Sequence, residues 1–326
     1  MKTRTLGKNG FNVGEVGLGC WQFGGDWGAM EEGTADEILS ASLVCGVDFF
    51  DTANVYGGGR SEERIGKFLS GRGENAVVAT KYGRGPGAYP DKYNEEGLRQ
   101  AIDESRRRLR VATIDLLQLH CLPMSVLRTG EVFDWLRSAQ TDGLIRHFGA
   151  SVETVEEGML CLRQQGLLSL QVIFNLCRQK PADELFPRAR EAGVGIIVRL
   201  PLASGLLSGR FDAETKFSEN DHRNYNRDGQ AFNVGETFAG LTLAKGAELV
   251  GRLKPLVPAN MTMAQMAMRW ILDHEAVSVI IPGASSVAQA MENAAVSALP
   301  SLPVSLREEL ARFYRDEVHG HIRGPY

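Results

Sequence analysis

The chain has 326 residues, of which 43% are hydrophobic and 23% are charged, and its formal net charge is −4. This composition is close to the average of globular proteins, and it excludes a disordered chain, which has fewer apolar residues and a larger net charge. Because 36 basic residues stand against 40 acidic ones, there is no overall positive surface for nucleic-acid phosphates, and we expect no nucleic-acid partner.

The apolar segments and the cysteines indicate a cytoplasmic protein. No apolar run in the sequence approaches the roughly 20 residues that span a bilayer, and the first residues lack the apolar stretch of a signal peptide. The five cysteines are scattered without a Cys-x-x-Cys pair, so neither a disulfide framework nor a structural zinc site is expected. We therefore expect no membrane partner, while a homo-oligomer is left open.

The first predicted element is an N-terminal β-hairpin. Residues 2–13 hold two short β-prone stretches around Asn9-Gly10, a dipeptide that favours the tight turn of a hairpin. Such a hairpin is suited to plug the bottom of a barrel.

Eight short apolar runs follow, rich in Val, Ile, Leu and Phe and without polar alternation. Such runs are typical of parallel strands that are covered on both faces. The segments 94–110, 183–192 and 263–272 between them are amphipathic and predict helices, the first capped by Asn94 and the second ended by Gly193. The runs lie at residues 16–19, 48–52, 76–81, 115–120, 147–151, 169–175, 195–200 and 278–282.

Eight strands that alternate with helices predict a (β/α)8 TIM barrel, formed by one domain over residues 1–326. A doubly wound open sheet is the main alternative, and it needs a glycine-rich turn that leads into a helix. The glycines of residues 14–19 are followed by Cys-Trp-Gln-Phe instead of a helix start, so we favour the barrel. The long polar segment 211–240 between strands seven and eight is interpreted as a lid or as a solvated loop.

Polar residues gather where the predicted strands end, which is where barrel enzymes hold their active sites. Asp51, Lys81 and His120 end strands two, three and four, and Tyr56 follows Asp51 by five residues. Each has an ordinary structural explanation by itself: a cap, a packing aromatic, a solvated cation, a core histidine. Together they suit proton donation to a carbonyl oxygen.

The chemistry of this set predicts a carbonyl reductase. An ammonium lowers the pKa of a nearby tyrosine from its usual value of about 10, so Lys81, held by Asp51, would make Tyr56 a general acid. His120 would donate a hydrogen bond to the carbonyl oxygen. Because side chains supply no hydride, the reaction requires a nicotinamide cofactor, and no metal is expected.

Six blocks in this order resemble the motifs of the aldo-keto reductases. They are Asp-Thr-Ala-Asn-Val-Tyr at 51–56, Ala-Thr-Lys at 79–81, Asp-Leu-Leu-Gln-Leu-His at 115–120, Phe-Gly-Ala-Ser at 148–151, Gly-Leu-Leu-Ser-Gly at 205–209 and Ile-Pro-Gly-Ala at 281–284. The resemblance implies a (β/α)8 barrel with NADPH extended across the strand ends. It also implies that Asp51, Tyr56, Lys81 and His120 form the catalytic tetrad, with Tyr56 as the acid.

The resemblance further implies a set of cofactor contacts. Ser151 and Gln171 would bind the nicotinamide carboxamide, the segment 202–210 would follow the pyrophosphate, and a helix N-terminus near Gly283 would receive the adenosine phosphate. The implied cofactor-binding residues are Trp21, Asp51, Ser151, Gln171, Arg199, Pro201, Leu202, Ser204, Leu206, Ser208, Arg210, Gly283, Ser285, Gln289, Glu292 and Asn293.

Three positions depart from the family pattern. Val152 follows Ser151 where many relatives have Asn, and Arg199 replaces a nicotinamide-stacking Tyr, as in a bacterial subset. A guanidinium can stack on a ring, but a cation is unfavourable beside an oxidised nicotinamide. Ser285 stands where a basic residue is common, which weakens the case for NADPH. The resemblance alone therefore makes NADPH the preferred cofactor, and NADH is the alternative.

The expected substrate is a small-molecule carbonyl compound, including sugars, because aromatic residues border the predicted mouth. These mouth residues are Trp21, Phe23, Trp27, Tyr82, Cys121 and Leu122. One alternative function is an NADP(H)-binding regulatory or redox-sensing subunit with little turnover. Another is a metal-dependent hydrolase, which needs more strand-end ligands than His120 alone. The segment 318–323 is interpreted as a tail that folds over a barrel mouth.

Overall fold

The fold of the chain follows from a computed structural model that describes residues 1–25, 27–28, 30–72 and 76–326. Eight parallel strands form one sheet in the order of the sequence. They are β3 (Leu18–Gly19), β4 (Phe49–Asp51), β5 (Val77–Tyr82), β6 (Ile114–His120), β7 (Ile145–Ser151), β8 (Leu167–Ile173), β9 (Gly195–Arg199) and β10 (Val277–Ile280). Parallel bridges from Val16 to Ile280 and from Gly19 to Gly283 bring the first strand beside the last. The predicted (β/α)8 barrel is therefore confirmed, and each of the eight predicted runs overlaps a strand.

Two antiparallel strands precede the barrel and confirm the predicted hairpin. β1 (Thr3–Leu6) pairs with β2 (Phe11–Gly14), and Asn9 in the connecting turn has a φ of 67°. Leu6 and Val13 are buried against the apolar residues at the bottom of the barrel, among them Phe49. The hairpin thus closes the end of the barrel that lies opposite the strand ends carrying the predicted tetrad.

Helices cover the outside of the sheet. They are α1 (Glu32–Val44), α2 (Arg60–Leu69), α3 (Glu95–Leu109), α4 (Met124–Thr129), α5 (Glu131–Thr141), α6 (Val155–Cys161), α7 (Leu185–Ala192), α8 (His222–Tyr225), α9 (Leu243–Leu253), α10 (Met263–Leu272), α11 (Val287–Ala295) and α12 (Val304–Phe313). The predicted cap of α3 is present, because the Asn94 side chain accepts a hydrogen bond from the Gly97 N–H. Gly193 ends α7 in the left-handed conformation, as expected. In the described part of the chain, no helix combines the length and the apolar character that crossing a membrane requires.

The segment 211–240 lies between β9 and α9 and is more ordered than its composition predicts. It contains α8 and two short 3-10 turns, and His222, Asn226 and Thr237 are fully buried. It therefore packs on the barrel, and its interpretation as a loop solvated throughout is wrong.

The last residues of the chain form hydrogen bonds and an ion pair with this segment and with Leu241 next to it. Arg323 donates hydrogen bonds to the carbonyl oxygens of Gly240 and Leu241 and pairs with Asp228 at 2.6 Å. Arg178 donates to the carbonyl oxygen of Pro325. The tail thus packs against the long segment of its own barrel.

Candidate active site

A polar layer occupies the barrel interior above an apolar one. Since side chains alternate along a strand, residues two apart point the same way. Phe49, Leu116 and Ile197 lie in the apolar cluster at the bottom, so Asp51, Gln118 and Arg199 come next above them on the same strands. Hydrogen bonds among the buried members of this upper layer define the site.

Lys81 is at the centre of the layer and uses all three of its donors. Its Nζ lies 2.5 Å from Asp51 Oδ1, 2.7 Å from the carbonyl oxygen of Thr52 and 3.2 Å from Tyr56 Oη. The side chain is only 1% exposed. The structure therefore brings together three members of the predicted tetrad.

Tyr56 reaches this position through a turn of three glycines before α2. Gly57, Gly58 and Gly59 have φ values of 60°, 66° and 97°, which glycine adopts without steric cost. At Gly57 the space is also restricted, because an added Cβ would lie 2.3 Å from the carbonyl oxygen of Gly24. The glycines thus let the chain reverse while Tyr56 points back into the barrel mouth.

Burial changes the proton affinities of the three groups. It raises the pKa of Tyr56 above 10, and the charge of Lys81 opposes this only in part. The expected lowering of the Tyr56 pKa is therefore wrong for the protein alone. Burial by itself would lower the pKa of Lys81, but the nearby Asp51 and Tyr56 oxygens raise it above its usual value. At neutral pH the pair is thus a protonated phenol beside an ammonium.

His120 is the fourth member, and its ring lies 6.0 Å from the Tyr56 ring in an edge-on arrangement. Burial lowers the pKa of His120 well below 6.5, and the cations Arg84, Lys81 and Arg199 lower it further. The imidazole is therefore neutral at pH 7, with one nitrogen that donates and one that accepts. Its Nδ1 is buried and has no hydrogen-bond partner among the residues described.

Two amides hold the second oxygen of Asp51. Gln118 Nε2 donates to Asp51 Oδ2 at 3.0 Å, and Gln171 Nε2 donates to the same oxygen at 2.7 Å. The Ser151 hydroxyl donates to Gln171 Oε1 at 3.1 Å. Gln118 was absent from the sequence prediction, although a Gln between leucines in a buried strand is the signal that could have found it.

A cavity of about 430 Å³ runs from the tetrad over the ends of β8 and β9 to the start of α11. Most of the predicted cofactor residues line it: Trp21, Asp51, Gln171, Arg199, Pro201, Leu202, Ser204, Ser208, Arg210, Gly283, Ser285, Gln289, Glu292 and Asn293. Ser151 and Leu206 are not on its wall. Ser151 lies behind Gln171, and Leu206 is turned into the core, where its Cδ2 approaches Gly246 of α9.

A second cavity of about 420 Å³ meets the first one. The residues shared by both walls are Trp21, Tyr56, His120 and Glu236. Its remaining lining includes Val55, Arg84, Tyr89, Cys121, Leu122, Glu153 and Phe232. Tyr56 and His120 therefore lie at the junction, where a molecule in one cavity would touch a molecule in the other.

Comparison with known proteins agrees with this geometry. Residues 15–311 match the Aldo/keto reductase family. The chain belongs to this family. It is 28% identical over 302 residues to the uncharacterized oxidoreductase YqkF of Bacillus subtilis, with 90% of each chain covered.

Two solved structures are similar over nearly the full length of this aldo/keto reductase. One is the holo form of an aldo-keto reductase from Bacillus halodurans, with a TM-score of 0.78, 26% identity and 96% of both chains covered. The other is a glycerol dehydrogenase from Gluconobacter oxydans, with a TM-score of 0.77 and 26% identity over 99% of this chain and 97% of that one. The chain is thus an NAD(P)H-dependent oxidoreductase of the aldo/keto reductase type.

The first cavity of this aldo/keto reductase fits an extended dinucleotide. At one end, the N-terminus of α11 offers positive charge for a phosphate, and Arg210 lies on the wall of the same cavity. At the other end, the flat side chains of Trp21 and Arg199 and the amide of Gln171 border the tetrad. The ring end of the dinucleotide would then face Tyr56 and His120.

Three charged residues beside the predicted tetrad, Arg84, Glu153 and Glu236, were not predicted from the sequence, and they form an ion-pair network with the predicted Arg199. Arg84 Nη2 lies 2.7 Å from Glu153 Oε1 and 2.6 Å from Glu236 Oε1, and Arg199 Nη1 lies 3.4 Å from Glu236 Oε2. Burial alone would raise the pKa of Glu236, but the two guanidinium groups lower it to about 2. The charge of Arg199, predicted to disfavour an oxidised nicotinamide, is thus balanced by a buried carboxylate. Nothing in the sequence pointed to Glu236, because it lies in the polar segment 211–240, which has no strand or helix pattern that would place its side chain.

The prediction of the mouth residues is correct for four of six. Trp21, Trp27, Cys121 and Leu122 line the cavities. It is wrong for Phe23 and Tyr82, which are buried in the cores behind the mouth. In both cases an aromatic residue next to a strand end packs against the covering helices instead of facing the cavity.

Proposed function

We propose that this aldo/keto reductase reduces aldehydes or ketones, including sugars, to alcohols with NADPH. The observation that carries the proposal is the position of Tyr56 Oη, 3.2 Å from Lys81 Nζ and at the junction of the two cavities. A phenol held by an ammonium, beside a neutral imidazole, is suited to protonate an oxygen that gains negative charge.

When it is bound, the dinucleotide supplies the hydride that reaches the carbonyl carbon. The residues of the chain act on the carbonyl oxygen. His120, being neutral, donates a hydrogen bond that orients this oxygen, and Tyr56 transfers its proton to it. Lys81 stabilises the phenolate that remains, and Asp51 compensates the buried charge of Lys81. Because burial raises the pKa of Tyr56, its acid form is the one present at neutral pH.

The preference for NADPH over NADH is supported by Arg210, which lines the cofactor cavity together with Ser285 and Gln289. A ribose phosphate bound in this cavity within reach of Arg210 would gain a guanidinium partner. NADH is the alternative, because Ser285 replaces the usual basic residue. One domain over residues 1–326 and a cytoplasmic location remain predictions.

The proposal is tested by Tyr56→Phe, which removes only the hydroxyl. Lys81 is a less suitable target, because its loss would leave Asp51 buried and unpaired at a cost of about 3–5 kcal/mol. We expect the rate constant kcat for an aldehyde to fall by roughly 10²- to 10⁴-fold. The Kd for NADPH, measured by fluorescence titration, should stay nearly unchanged.

Tyr93→Phe is the matched control. Its hydroxyl donates to the carbonyl oxygen of Gly83 and is absent from the walls of both cavities, so this variant should keep normal turnover. Normal turnover in Tyr56→Phe would remove Tyr56 from the mechanism. An unmodified chain that binds NADPH but turns over no carbonyl in a broad panel would favour the regulatory subunit instead.

A further inference from the structure

Gln118 has a buried amide side chain that forms a hydrogen bond with the Asp51 carboxylate. It lies on β6, its side chain is fully buried, and its Nε2 donates to Asp51 Oδ2 at 3.0 Å. Its Oε1 has no hydrogen-bond partner within the described part of the chain. An ionised carboxylate only accepts hydrogen bonds, so the amide nitrogen must face Asp51 and the oxygen must point away.

Packing alone does not explain this residue. The neighbours of Gln118 along β6 are Leu117 and Leu119, and Leu116 continues its own face of the strand toward the bottom of the barrel. Burial of an amide with an unpaired oxygen is unfavourable compared with an apolar side chain of similar length. The gain that offsets it is the hydrogen bond to Asp51.

The two donors to Asp51 Oδ2 differ in what else they do. Gln171 lines the cofactor cavity and accepts a hydrogen bond from Ser151, so a bound nicotinamide competes for its amide. Gln118 does not line that cavity and has Asp51 as its hydrogen-bond partner. It can therefore hold the carboxylate whether or not Gln171 turns toward the cofactor.

We propose that Gln118 is a positioning residue, which fixes the Asp51 carboxylate so that Lys81 stays aligned with Tyr56 when the cofactor is bound. This inference rests on the proposed reductase function. It assigns Gln118 no contact with substrate or cofactor: its effect passes through Asp51 and Lys81 to the proton that Tyr56 transfers.

Two substitutions of similar length test the inference. Gln118→Met removes the donor, and we expect kcat for an aldehyde to fall by about 10-fold or more, because misplaced catalytic groups lose rate steeply. The fluorescence Kd for NADPH should change by less than about 2-fold, since Gln118 is outside the cofactor cavity. Ser169→Ala is the control and should keep normal kcat. Ser169 is a fully buried residue of β8, and its hydroxyl has no hydrogen-bond partner among the residues described.

Gln118→Glu adds a readout that a purely structural role would not move. The charged groups that face position 118 are Asp51 from β4, Lys81 from β5 and, in the same interior layer, Arg199 from β9. β7 presents Gly149, β8 presents the uncharged Gln171, and the neutral His120 follows on the same face of β6. An ionised Glu there repels Asp51, but a protonated one can donate its O–H to Oδ2. The kcat of Gln118→Glu relative to the unmodified chain should thus rise as the pH falls, while that of Gln118→Met stays constant.

Three results would overturn the inference. A wild-type kcat in Gln118→Met, with the same urea unfolding midpoint, would show that the hydrogen bond is dispensable. A Gln118→Glu ratio that does not respond to pH would exclude a donor role. No carbonyl turnover by the unmodified chain would contradict the proposed function and this inference together, whereas normal turnover with an inert position 118 contradicts this inference alone.

Discussion

Replacement of Gly57 should displace Tyr56 without changing any group that takes part in the reaction. Gly57 has a φ of 60°, and an added Cβ would lie 2.3 Å from the carbonyl oxygen of Gly24. Non-bonded atoms of this kind need about 3.5 Å, so the backbone must shift by roughly 1 Å. A shift of this size in a catalytic group lowers kcat on the order of 10²-fold.

The neighbouring Gly58 is a matched control. Its φ is 66°, and an added Cβ meets no described atom within 4 Å. Gly57→Ala and Gly58→Ala therefore share the cost of a left-handed alanine, about 1–2 kcal/mol of unfolding free energy. Only Gly57→Ala adds the clash with Gly24.

The assay is kcat for an aldehyde with NADPH, measured beside urea unfolding of both variants. We expect both to lose some stability, while only Gly57→Ala loses most of its turnover. Equal kcat values in the two variants would refute the idea that the Gly24 contact determines where Tyr56 lies.

Three further predictions concern the pH dependence of kcat, the pH dependence of stability, and cofactor choice. Because the pKa of His120 lies well below 6.5, kcat for carbonyl reduction should stay level from about pH 8 to about pH 6. A histidine with an ordinary pKa would already be mostly protonated at the lower of these pH values. A pH–rate profile checks this, and a loss of half the activity near the ordinary pKa would contradict it. The unfolding free energy, unlike kcat, should depend on pH in this range. Below about pH 6.5 the unfolded chain binds a proton at His120 while the folded chain does not, so stability falls as the pH falls. In Arg210→Ala, the Kd for NADPH should rise by about 10-fold and that for NADH should change little; equal changes for both cofactors would remove Arg210 from phosphate recognition.

The raised pKa of Tyr56 shows how burial and charge compete at this site. From the sequence, the ammonium of Lys81 was expected to decide the outcome. In the structure both groups are buried, and desolvation of the phenolate outweighs the attraction of the ammonium. The sequence can identify Lys81 as a charged partner of Tyr56. It does not show how far Tyr56 is removed from water, because that depends on the packing of the whole site.

The sequence by itself determined the parallel barrel and its hairpin, and it named the four residues of the proposed tetrad. Local patterns carry this information: apolar runs specify buried strands, Asn94 caps a helix, and strand ends converge in a barrel. The same local signals misassigned Phe23 and Tyr82, because an aromatic residue at a strand end fits either a cavity wall or a core.

Only the tertiary structure decided which groups surround the tetrad. Gln118 and Gln171 are 67 and 120 residues from Asp51, and they meet it because strand register places their side chains in one interior layer. Glu236 reaches Arg84 and Arg199 because the segment 211–240 folds back over the barrel. Register between strands and the path of a long connection depend on the packing of the whole chain, which no local pattern encodes.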